Sequence, residues 1–266
     1  MADPLPPARR RALITGASGG LGAALARRAP PSFDLVLSGR DAGALTVLRV
    51  AAEAEGRQVE TVAADLDSPE GRRALIAATE GRIDVLVNNA GLGAYGAFLS
   101  REPTEHRAAV VVNALAPVEL ARALLPGMIE RARALGGRAG LINVASSAAF
   151  APAPSMAVYA ATKAFLLSFT EALAAELSGD PVDVLALCPG ATESNFGVRS
   201  GFGRSFPGAM SPDYVARQAW EALGKRRTLV LGALDAPALA PVALARSAAA
   251  QAIWRGSRLA GALFRR

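Results

Sequence analysis

The stretch from Tyr159 to Lys163 places a phenol and an ammonium four residues apart in an apolar, helix-forming run. Residues i and i+4 lie on one face of a helix. A cation beside a phenol favours the phenolate, so the pair predicts a Tyr159 pKa drawn from about 10 towards neutrality, as a general acid or base requires. The alternative is a half-buried Tyr and a solvated Lys on an amphipathic helix. Lys225 is the other lysine and every remaining strong base is Arg, which favours a selected, tunable ammonium at position 163.

The composition predicts one large α/β domain. The chain has 266 residues, 52% of them hydrophobic, and no Pro/Ser linker divides it, so we expect a single domain over residues 1–234 and a C-terminal helical extension over 235–266. The formal charge of +6 comes from scattered Arg residues with 5% aromatics, which indicates helix surfaces and no nucleic-acid partner.

Cys188 and His106 are each the sole residue of their type. A lone cysteine excludes a disulfide framework and a thiolate metal cluster, and a lone histidine disfavours zinc and Ser-His-Asp chemistry, so no metal is expected. Residues 1–11 lack the apolar core of a signal peptide, and the chain has no run of about 18 uninterrupted apolar residues. These features predict a cytoplasmic protein without a membrane-spanning helix.

Short apolar runs alternate with helical stretches along the chain. Strands without polar alternation, separated by helices, are typical of a doubly wound parallel sheet with helices on both faces. Asp41 and the pair Asp67 and Ser68 are placed to begin two of the helices. The predicted strands are 11–15, 35–38, 59–63, 83–87, 140–145, 182–187 and 228–231, and the predicted helices are 23–29, 42–54, 69–79, 104–133, 212–223 and 237–266.

The turn after the first strand carries glycines at positions 16, 20 and 22. Glycines there let the backbone approach a bound phosphate, and the following helix offers free N–H groups. An ordinary Gly-rich turn is the alternative, and the absence of a following G-K-[ST] disfavours a P-loop. The second strand ends in Gly39 and Arg40, where an acidic residue would hold the ribose of NAD and an arginine suits a 2′-phosphate.

The motifs together resemble the short-chain dehydrogenase/reductase family of single-domain Rossmann proteins. The resemblance implies a seven-stranded parallel sheet with three helices on each side, a nicotinamide cofactor and hydride transfer at a carbonyl or alcohol carbon. The matching residues, in the family's order and spanning nearly the whole chain, are Thr15 to Gly22, Asn88 to Gly91, Asn113, Ser146, Tyr159, Lys163, Pro189 and Gly190.

The resemblance also implies the residues that bind the cofactor. Arg40 favours NADP(H), although NAD(H) remains open because many NADP-preferring relatives carry a second basic residue where this chain has Gly19. Asp65 is expected at the adenine, with a helix-capping or loop role as the alternative. The expected cofactor-binding residues are Gly16, Ser18, Gly20, Leu21, Gly22, Arg40, Asp65, Leu66, Asn89, Ala90, Gly91, Tyr159, Lys163, Pro189, Gly190, Thr192 and Ser194.

Four residues are expected to be catalytic by the same resemblance. Tyr159 is the general acid/base, and Lys163 lowers its pKa and bonds the nicotinamide ribose. Ser146 lies 13 residues before Tyr159, the family's usual interval, and would orient the substrate oxygen. Asn113 would anchor a water that links Lys163 to solvent. Pro117 has no N–H for the Asn113 carbonyl, which gives that role a local cause, with a packing kink as the alternative.

The remaining features concern substrate and partners. The segment 195–210 resembles the family's mobile substrate lid, and Phe196, Phe202 and Phe206 indicate a lipophilic carbonyl or alcohol, with aromatic packing as the alternative. The Ala/Leu-rich and Arg-containing C-terminal segment fits packing in a homodimer or homotetramer, or contact with an anionic membrane. A cofactor-binding redox sensor and a peripheral membrane or interaction protein are the alternative functions.

Overall fold

A computed structural model describes residues 9–194, 196–201, 208–232 and 235–263. Within these ranges the chain forms one seven-stranded sheet in which all neighbouring strands are parallel, in the order β3-β2-β1-β4-β5-β6-β7. The strands are β1 Arg10–Thr15, β2 Phe33–Gly39, β3 Val59–Ala63, β4 Val85–Asn88, β5 Ala139–Val144, β6 Val182–Pro189 and β7 Thr228–Leu231.

Nine α-helices connect and follow these strands in the described ranges. They are α1 Gly20–Arg28, α2 Ala42–Ala54, α3 Pro69–Thr79, α4 Pro103–Val110, α5 Ala116–Ala134, α6 Ala157–Glu176, α7 Phe196–Arg199, α8 Pro212–Ala222 and α9 Asp235–Leu263. Residues of α1, α2 and α8 pack on one face of the sheet, and residues of α3, α5 and α6 pack on the other. The predicted doubly wound fold, with three helices on each face, is therefore confirmed.

Successive residues of each strand supply the two cores in turn. Leu13 of β1 is paired with Val36 of β2, and both belong to the core under α3, α5 and α6. The next pair, Ile14 and Leu37, belongs to the core under α1, α2 and α8. Because both faces are covered, the strands read as continuous apolar runs without polar alternation.

The sheet positions a binding site at the carboxyl ends of its strands. The chain runs outward from β1 to β3 and then crosses back to β4 on the other side of β1. The loops after β1 and β4 therefore diverge from a common point, where a doubly wound sheet leaves a crevice for a ligand. The Gly-rich turn and the segment 88–91 follow these two strands.

Several element boundaries differ from the predicted ones. Helix α1 begins at Gly20, three residues earlier than predicted, so its first turn includes the glycines themselves. The predicted continuous helix 104–133 is interrupted by a π-helical segment, Val111–Leu115, in which the N–H of Ala116 donates to the Val111 carbonyl. The missing N–H of Pro117 explains why a regular α-helical ladder cannot continue there. The predicted caps at Asp41 and Ser68 are observed, and their side chains accept from Ala44 N and Gly71 N.

In the part of the chain that the structure describes, one helical stretch has the length and apolar composition of a membrane span. It runs from Pro103 to Ala134, but 61% of its apolar window is buried inside the protein. Residues Leu120, Leu124 and Met128 of this stretch belong to the core beneath the sheet. Burial of its apolar face in the core explains its hydropathy.

Helix α9 packs against α6 and β7 of the same chain. Ala243 is buried in a third core cluster with Leu167 and Val230. Arg246 Nε lies 3.0 Å from the buried Glu171 carboxylate, and its Nη2 donates to Ser168 Oγ at 2.9 Å. The first half of the extension therefore lies on its own chain. Asn195, Phe202 and Phe206 of the predicted substrate lid, and the last three residues of the predicted extension, fall outside the described residues.

We predict that Arg246→Met destabilises the protein. Burial raises the pKa of Glu171, and the Arg246 guanidinium opposes this rise, so removing Arg246 leaves a buried carboxylate without its cation. The free energy of unfolding in urea should fall by about 2 kcal/mol. Arg255→Met is the matched control, because Arg255 is an exposed residue of the same helix. Its effect should stay within about 0.5 kcal/mol. Equal stability of both variants would contradict the proposed docking interaction.

Candidate active site

A cavity of about 410 Å³ opens at the carboxyl ends of the strands. This volume lies within the range of small-molecule sites. Every sequence-predicted site residue except Asn113 lines it. The lining also includes Ser38, Leu92, Val112, Met156 and Phe196, which sequence reasoning did not assign to the cofactor or to catalysis.

The glycine turn forms one wall of the cavity by close backbone packing. Gly16 has a φ of 65°, and a Cβ at Gly22 would lie 2.1 Å from the Gly16 carbonyl oxygen. Side chains are therefore excluded at both positions. Gly19 precedes α1 and provides no side-chain cap. The first-turn N–H groups of α1 and the positive end of its dipole are thus directed to a region that suits an anion.

Hydrogen bonds from the segment after β4 hold this turn in place. The N–H groups of Asn89 and Ala90 donate to Thr15 Oγ1 at 3.0 and 3.1 Å. Asn89 Nδ2 donates to the Thr15 carbonyl at 2.9 Å. These bonds join the ends of the two strands that flank the crevice. Asn89 therefore shapes the cavity through the glycine turn as well as by lining it.

The ends of β2 and β3 form a second wall. Arg40 is exposed at the cavity. Its guanidinium makes no ion pair or hydrogen bond with the described residues. Ser38 Oγ is buried at the same strand end and has no partner there. Asp65 Oδ1 accepts from Asp67 N at 3.1 Å, while Ser68 caps α3. The capping alternative for Asp65 is therefore wrong, and Asp65 is an exposed loop residue on the cavity wall.

Ser146 and Tyr159 meet at the far end of the cavity. Ser146 follows β5, and its Oγ accepts from Ala148 N at 3.2 Å at the start of a short 3₁₀ turn. The Ser146 hydroxyl also hydrogen-bonds the Tyr159 side chain and lowers its pKa. The Phe196 ring of α7 lies 5.7 Å from the Tyr159 ring, centroid to centroid. The phenol thus has a hydroxyl on one side and an aromatic wall on the other.

Lys163 is buried on the same face of α6 as Tyr159. Its Nζ donates to the Val144 carbonyl at the end of β5, at 2.7 Å, and lies 5.8 Å from the centroid of the Tyr159 ring. Burial lowers the pKa of Lys163 from 10.5 to about 8. The Cys188 thiol nearby is itself buried, and burial raises its pKa to about 12, so it stays neutral at physiological pH. The ammonium therefore remains mostly charged at neutral pH at a considerable desolvation cost.

The predicted lowering of the Tyr159 pKa is wrong. Burial raises this pKa above 10.0, and the Ser146 hydroxyl offsets only part of the rise. Lys163 donates to the Val144 carbonyl, and its ammonium does not reverse the effect of burial on the phenol. Tyr159 is consequently protonated at neutral pH.

Asn113 lies behind the cavity, in the π-helical segment. Its Oδ1 accepts from Leu92 N at 2.8 Å, and its Nδ2 donates to the Leu92 carbonyl at 2.8 Å. Nδ2 also donates to Thr162 Oγ1 of α6 at 3.0 Å. A Cβ placed on Gly91 would lie 3.4 Å from Asn113 Oδ1 and 3.6 Å from Lys163 Nζ. Asn113 and Lys163 therefore share one neighbourhood next to Gly91.

A second buried amide network was not predicted from the sequence. Asn88 Nδ2 donates to Asn143 Oδ1 at 2.9 Å, and Asn143 Nδ2 donates to Thr170 Oγ1 at 2.9 Å. It joins β4, β5 and α6 directly beneath the catalytic candidates. The signal that could have indicated this network was an asparagine near the end of each of two apolar strands, at positions 88 and 143. No group of three or more His, Cys, Asp or Glu side chains suited to a metal ion occurs in the described ranges.

The sequence also matches a family model. The model for short chain dehydrogenase aligns with residues 10–201, which include the glycine turn, Ser146, Tyr159 and Lys163. The chain belongs to the short-chain dehydrogenase family. It is therefore an oxidoreductase.

Individual members of the short-chain dehydrogenase family agree with this assignment. A 1-deoxy-11-beta-hydroxypentalenate dehydrogenase of Streptomyces exfoliatus is 39% identical over 85% of this chain and 84% of its own. The structure of a short-chain dehydrogenase from Sphingobium yanoikuyae in complex with NADPH is 33% identical, with a TM-score of 0.76 over 83% of this chain and 86% of that one. A 3-ketoacyl-(acyl-carrier-protein) reductase from Brucella melitensis complexed with NADH is 31% identical, with a TM-score of 0.72 over 84% and 96%.

The cavity fits the nicotinamide cofactor that this family uses. The glycine turn excludes side chains where a pyrophosphate would approach the backbone, as the 2.1 Å approach at Gly22 demonstrates. Among the described residues, neither the Ser38 hydroxyl nor the Arg40 guanidinium has a partner, and both are polar groups suited to a ribose and its phosphate.

We predict that Lys163→Met stabilises the protein without cofactor. A drop in pKa from 10.5 to about 8 corresponds to a cost on the order of 3 kcal/mol for the charged form at pH 7. Loss of the bond to Val144 offsets part of the gain, so the free energy of unfolding in urea should rise by about 1–2 kcal/mol.

The pH dependence provides the decisive control. Native Lys163 is neutral above pH 8, whereas the unfolded chain keeps its lysine charged up to about pH 10.5, so the native wild type gains stability across this window. The advantage of Lys163→Met should therefore shrink as pH rises from 8 to 10.5. Lys225→Met, at an exposed lysine, should show no such trend. A stability difference between the wild type and Lys163→Met that does not change with pH would contradict the burial of the Lys163 ammonium.

Proposed function

We propose that the protein is an NADP(H)-dependent oxidoreductase that interconverts a lipophilic carbonyl compound and its alcohol, with Tyr159 as general acid/base. The carrying observation is the single cavity that contains the glycine turn at one end and Ser146, Tyr159 and Lys163 at the other. A phosphate-binding turn without the Tyr159 phenol would support a cofactor-binding role but no catalytic one. Their combination supports catalysis on a substrate held beside the cofactor.

Different residues along the cavity would bind different parts of the cofactor. Asp65 and Leu66 would hold the adenine, and Gly16 to Gly22 the pyrophosphate. Pro189, Gly190, Thr192 and Ser194 would hold the nicotinamide end. When bound, the nicotinamide supplies the hydride for reduction of the carbonyl carbon. Thr192 is held in place there by a β-bridge to Met210.

Tyr159 would donate its proton to the substrate oxygen during reduction. Its raised pKa keeps that proton on the phenol at neutral pH, so the acid form needed for reduction is already present. Ser146 would hydrogen-bond the same oxygen and orient it towards the phenol. Lys163 would stabilise the phenolate that remains after proton transfer, because its ammonium is the nearest buried cation.

Asn113 would support the return of a proton to Tyr159. Its side chain is clamped by both main-chain groups of Leu92 and by Thr162, which fixes its carboxamide beside Gly91 and Lys163. We propose that the π-helical segment is what directs Asn113 to this position, since one extra residue in the turn rotates the side chains that follow. The main-chain carbonyl of Asn113 would bind the water that links Lys163 to solvent.

The preference for NADP(H) is supported by charge at the end of β2. Arg40 lies on the cavity wall and forms no ion pair with the described residues, and Gly39 occupies the strand end where an acidic residue would hold the 2′-hydroxyl of NAD. Gly19 is the position where many NADP-preferring relatives carry a second basic residue. A Cβ built on Gly19 would have no other atom within 4 Å. The extended φ of 171° at Gly19 is accessible to any residue. A basic side chain there would strengthen the same preference.

The apolar substrate is supported by the residues around Tyr159. Phe196 covers one side of the phenol, and Leu92, Val112 and Met156 also line the cavity. The rim segment, residues 92–101, exposes further apolar side chains, namely Tyr95, Phe98 and Leu99. Such a surface favours a ketone or alcohol with bulky apolar substituents over a highly polar one.

We predict that Tyr159→Phe abolishes turnover but keeps cofactor binding. Loss of the general acid should reduce kcat by roughly 10²- to 10⁴-fold. The NADPH dissociation constant should change by less than about threefold, because most of the cofactor contacts lie elsewhere in the cavity. Reduction is followed at the nicotinamide absorbance with a ketone that the wild type converts. Tyr214→Phe, at an exposed tyrosine of α8, is the control. Wild-type turnover by Tyr159→Phe would exclude the mechanism.

We also predict that Arg40→Ala weakens NADPH binding selectively. Removing a charge-assisted bond to the 2′-phosphate should raise the NADPH dissociation constant about 10- to 100-fold, while that for NADH changes by less than about twofold. Gly19→Arg should shift the ratio in the opposite direction. Fluorescence titration of both cofactors measures these constants. Equal affinities in the wild type, together with a neutral Arg40→Ala, would contradict the preference.

A further inference from the structure

Arg101 joins two segments that border the Tyr159 end of the cavity. Its Nε donates to the Tyr95 carbonyl at 2.8 Å, and its Nη2 donates to the Ser200 carbonyl at 2.9 Å. The N–H of Tyr95 donates to the same Ser200 carbonyl at 2.9 Å. The side chain of a residue just before α4 therefore bridges the backbone of the rim segment 92–101 and of the lid segment 196–201.

Two glycines make this close approach possible. A Cβ at Gly201 would lie 2.3 Å from Arg101 Nη2, and the φ of 86° at Gly201 also disfavours other residues. A Cβ at Gly93 would lie 2.2 Å from Ser200 Oγ and 2.9 Å from Phe196 Cζ. The rim and lid segments are thus packed without room for side chains at their points of contact.

The bridge continues to the phenol through a single helical turn. Ser200 N donates to the Phe196 carbonyl at 2.8 Å, which couples the position of Ser200 to that of Phe196. The Phe196 ring lies 5.7 Å from the Tyr159 ring. Fixing Ser200 therefore fixes the aromatic wall beside the proposed general acid.

A third segment is attached to the same rim. Gly96 N donates to the Ser155 carbonyl at 2.9 Å, just before α6 begins. Ser155 has a φ of 65°, an unfavourable conformation for a residue with a side chain. Such a conformation persists only where neighbouring contacts impose it. The rim thus holds segments on both sides of Tyr159.

Glu105 completes the surroundings of Arg101. Its carboxylate lies 3.4 Å from Nη1, but the Glu105 side chain is 47% exposed. An exposed ion pair contributes little, so the two carbonyl acceptors are the main function of the guanidinium. A lysine could reach one carbonyl but could not reproduce the planar fork that holds both.

We propose that Arg101 is a positioning residue that holds the lid segment 196–201 against Tyr159 and so determines the shape of the substrate end of the cavity. The proposal rests on the proposed function for its catalytic consequence. Its structural part, that Arg101 orders the lid, stands independently. Arg101 contacts neither the cofactor cavity nor the phenol and acts through Ser200 and Phe196.

Hydrogen exchange tests the structural part without a substrate. In Arg101→Met, amides of the rim and lid peptides that contain Tyr95 and Ser200 should exchange at least about tenfold faster, with and without NADPH. Peptides of β1 and β5 should be unchanged. Arg73→Met is the matched control, because Arg73 is exposed and pairs with Glu70 three residues before it. Gly201→Ala should reproduce the faster exchange by displacing the guanidinium. Unchanged exchange in both variants overturns the proposal.

Steady-state kinetics with NADPH tests the catalytic part, with benzil as a bulky ketone and acetophenone as a smaller one. In Arg101→Met, the KM for the better ketone should rise about tenfold while kcat changes by less than about threefold. Arg101→Lys should recover part of the loss, and Arg73→Met should behave as wild type. A fall in kcat with an unchanged KM, or full recovery by lysine, contradicts the positioning role. Absence of turnover in the wild type counts against the proposed function. The structural role of Arg101 is then decided by the hydrogen-exchange experiment alone.

Discussion

The buried ammonium of Lys163 is the interaction on which the site depends. An ammonium has three N–H donors, and the described residues supply one acceptor, the Val144 carbonyl at the end of β5. Its lowered pKa measures the cost of keeping the charge away from water. Hydrogen bonds hold the surrounding elements in place: the Asn88, Asn143 and Thr170 side chains join β4, β5 and α6. Asn113 of the π-helical segment bonds Thr162 of α6. In the proposed function, the two remaining donors would bind groups that enter the cavity, so that a destabilising charge would serve as a binding group.

The same burial explains why the spacing of Tyr159 and Lys163 predicts their adjacency but not the state of the phenol. Helical periodicity determines which side chains share a face, and the two do share one. Desolvation depends on segments far away in sequence, such as α7, whose Phe196 ring lies beside the phenol, and it acts on both groups. It raises the Tyr159 pKa and lowers that of Lys163, so each moves towards its neutral form. A protonated phenol is ready to donate, which suits reduction in the proposed mechanism.

Much of the fold could be predicted because its signals are local. Apolar runs indicated the strands, Asp41 and Ser68 marked helix starts, and the glycines marked the turn. The cavity lining was predicted from motifs for the same reason. The π-helical segment was not predicted, because Pro117 signals a broken bond but not how the helix absorbs it. Arg101 was not recognised, because its acceptors are main-chain carbonyls, and the Ser200 carbonyl lies 99 residues away. Backbone acceptors have no sequence signature, so such contacts require the structure.

The two ends of the cavity are built in physically different ways, and this has a consequence for specificity. The proposed cofactor end consists of strand termini and the glycine turn. A Cβ added to Gly22 would lie 2.1 Å from the Gly16 carbonyl oxygen, so most substitutions there disturb the sheet itself. The substrate end consists of the rim, the segment around Ser155 and the lid, joined by a few backbone bonds and one guanidinium. Changes there alter few core contacts and leave the Lys163 and Asn113 network intact. With the proposed function, substrate preference can therefore diverge through the rim and lid while the residues assigned to the cofactor and to proton transfer stay the same.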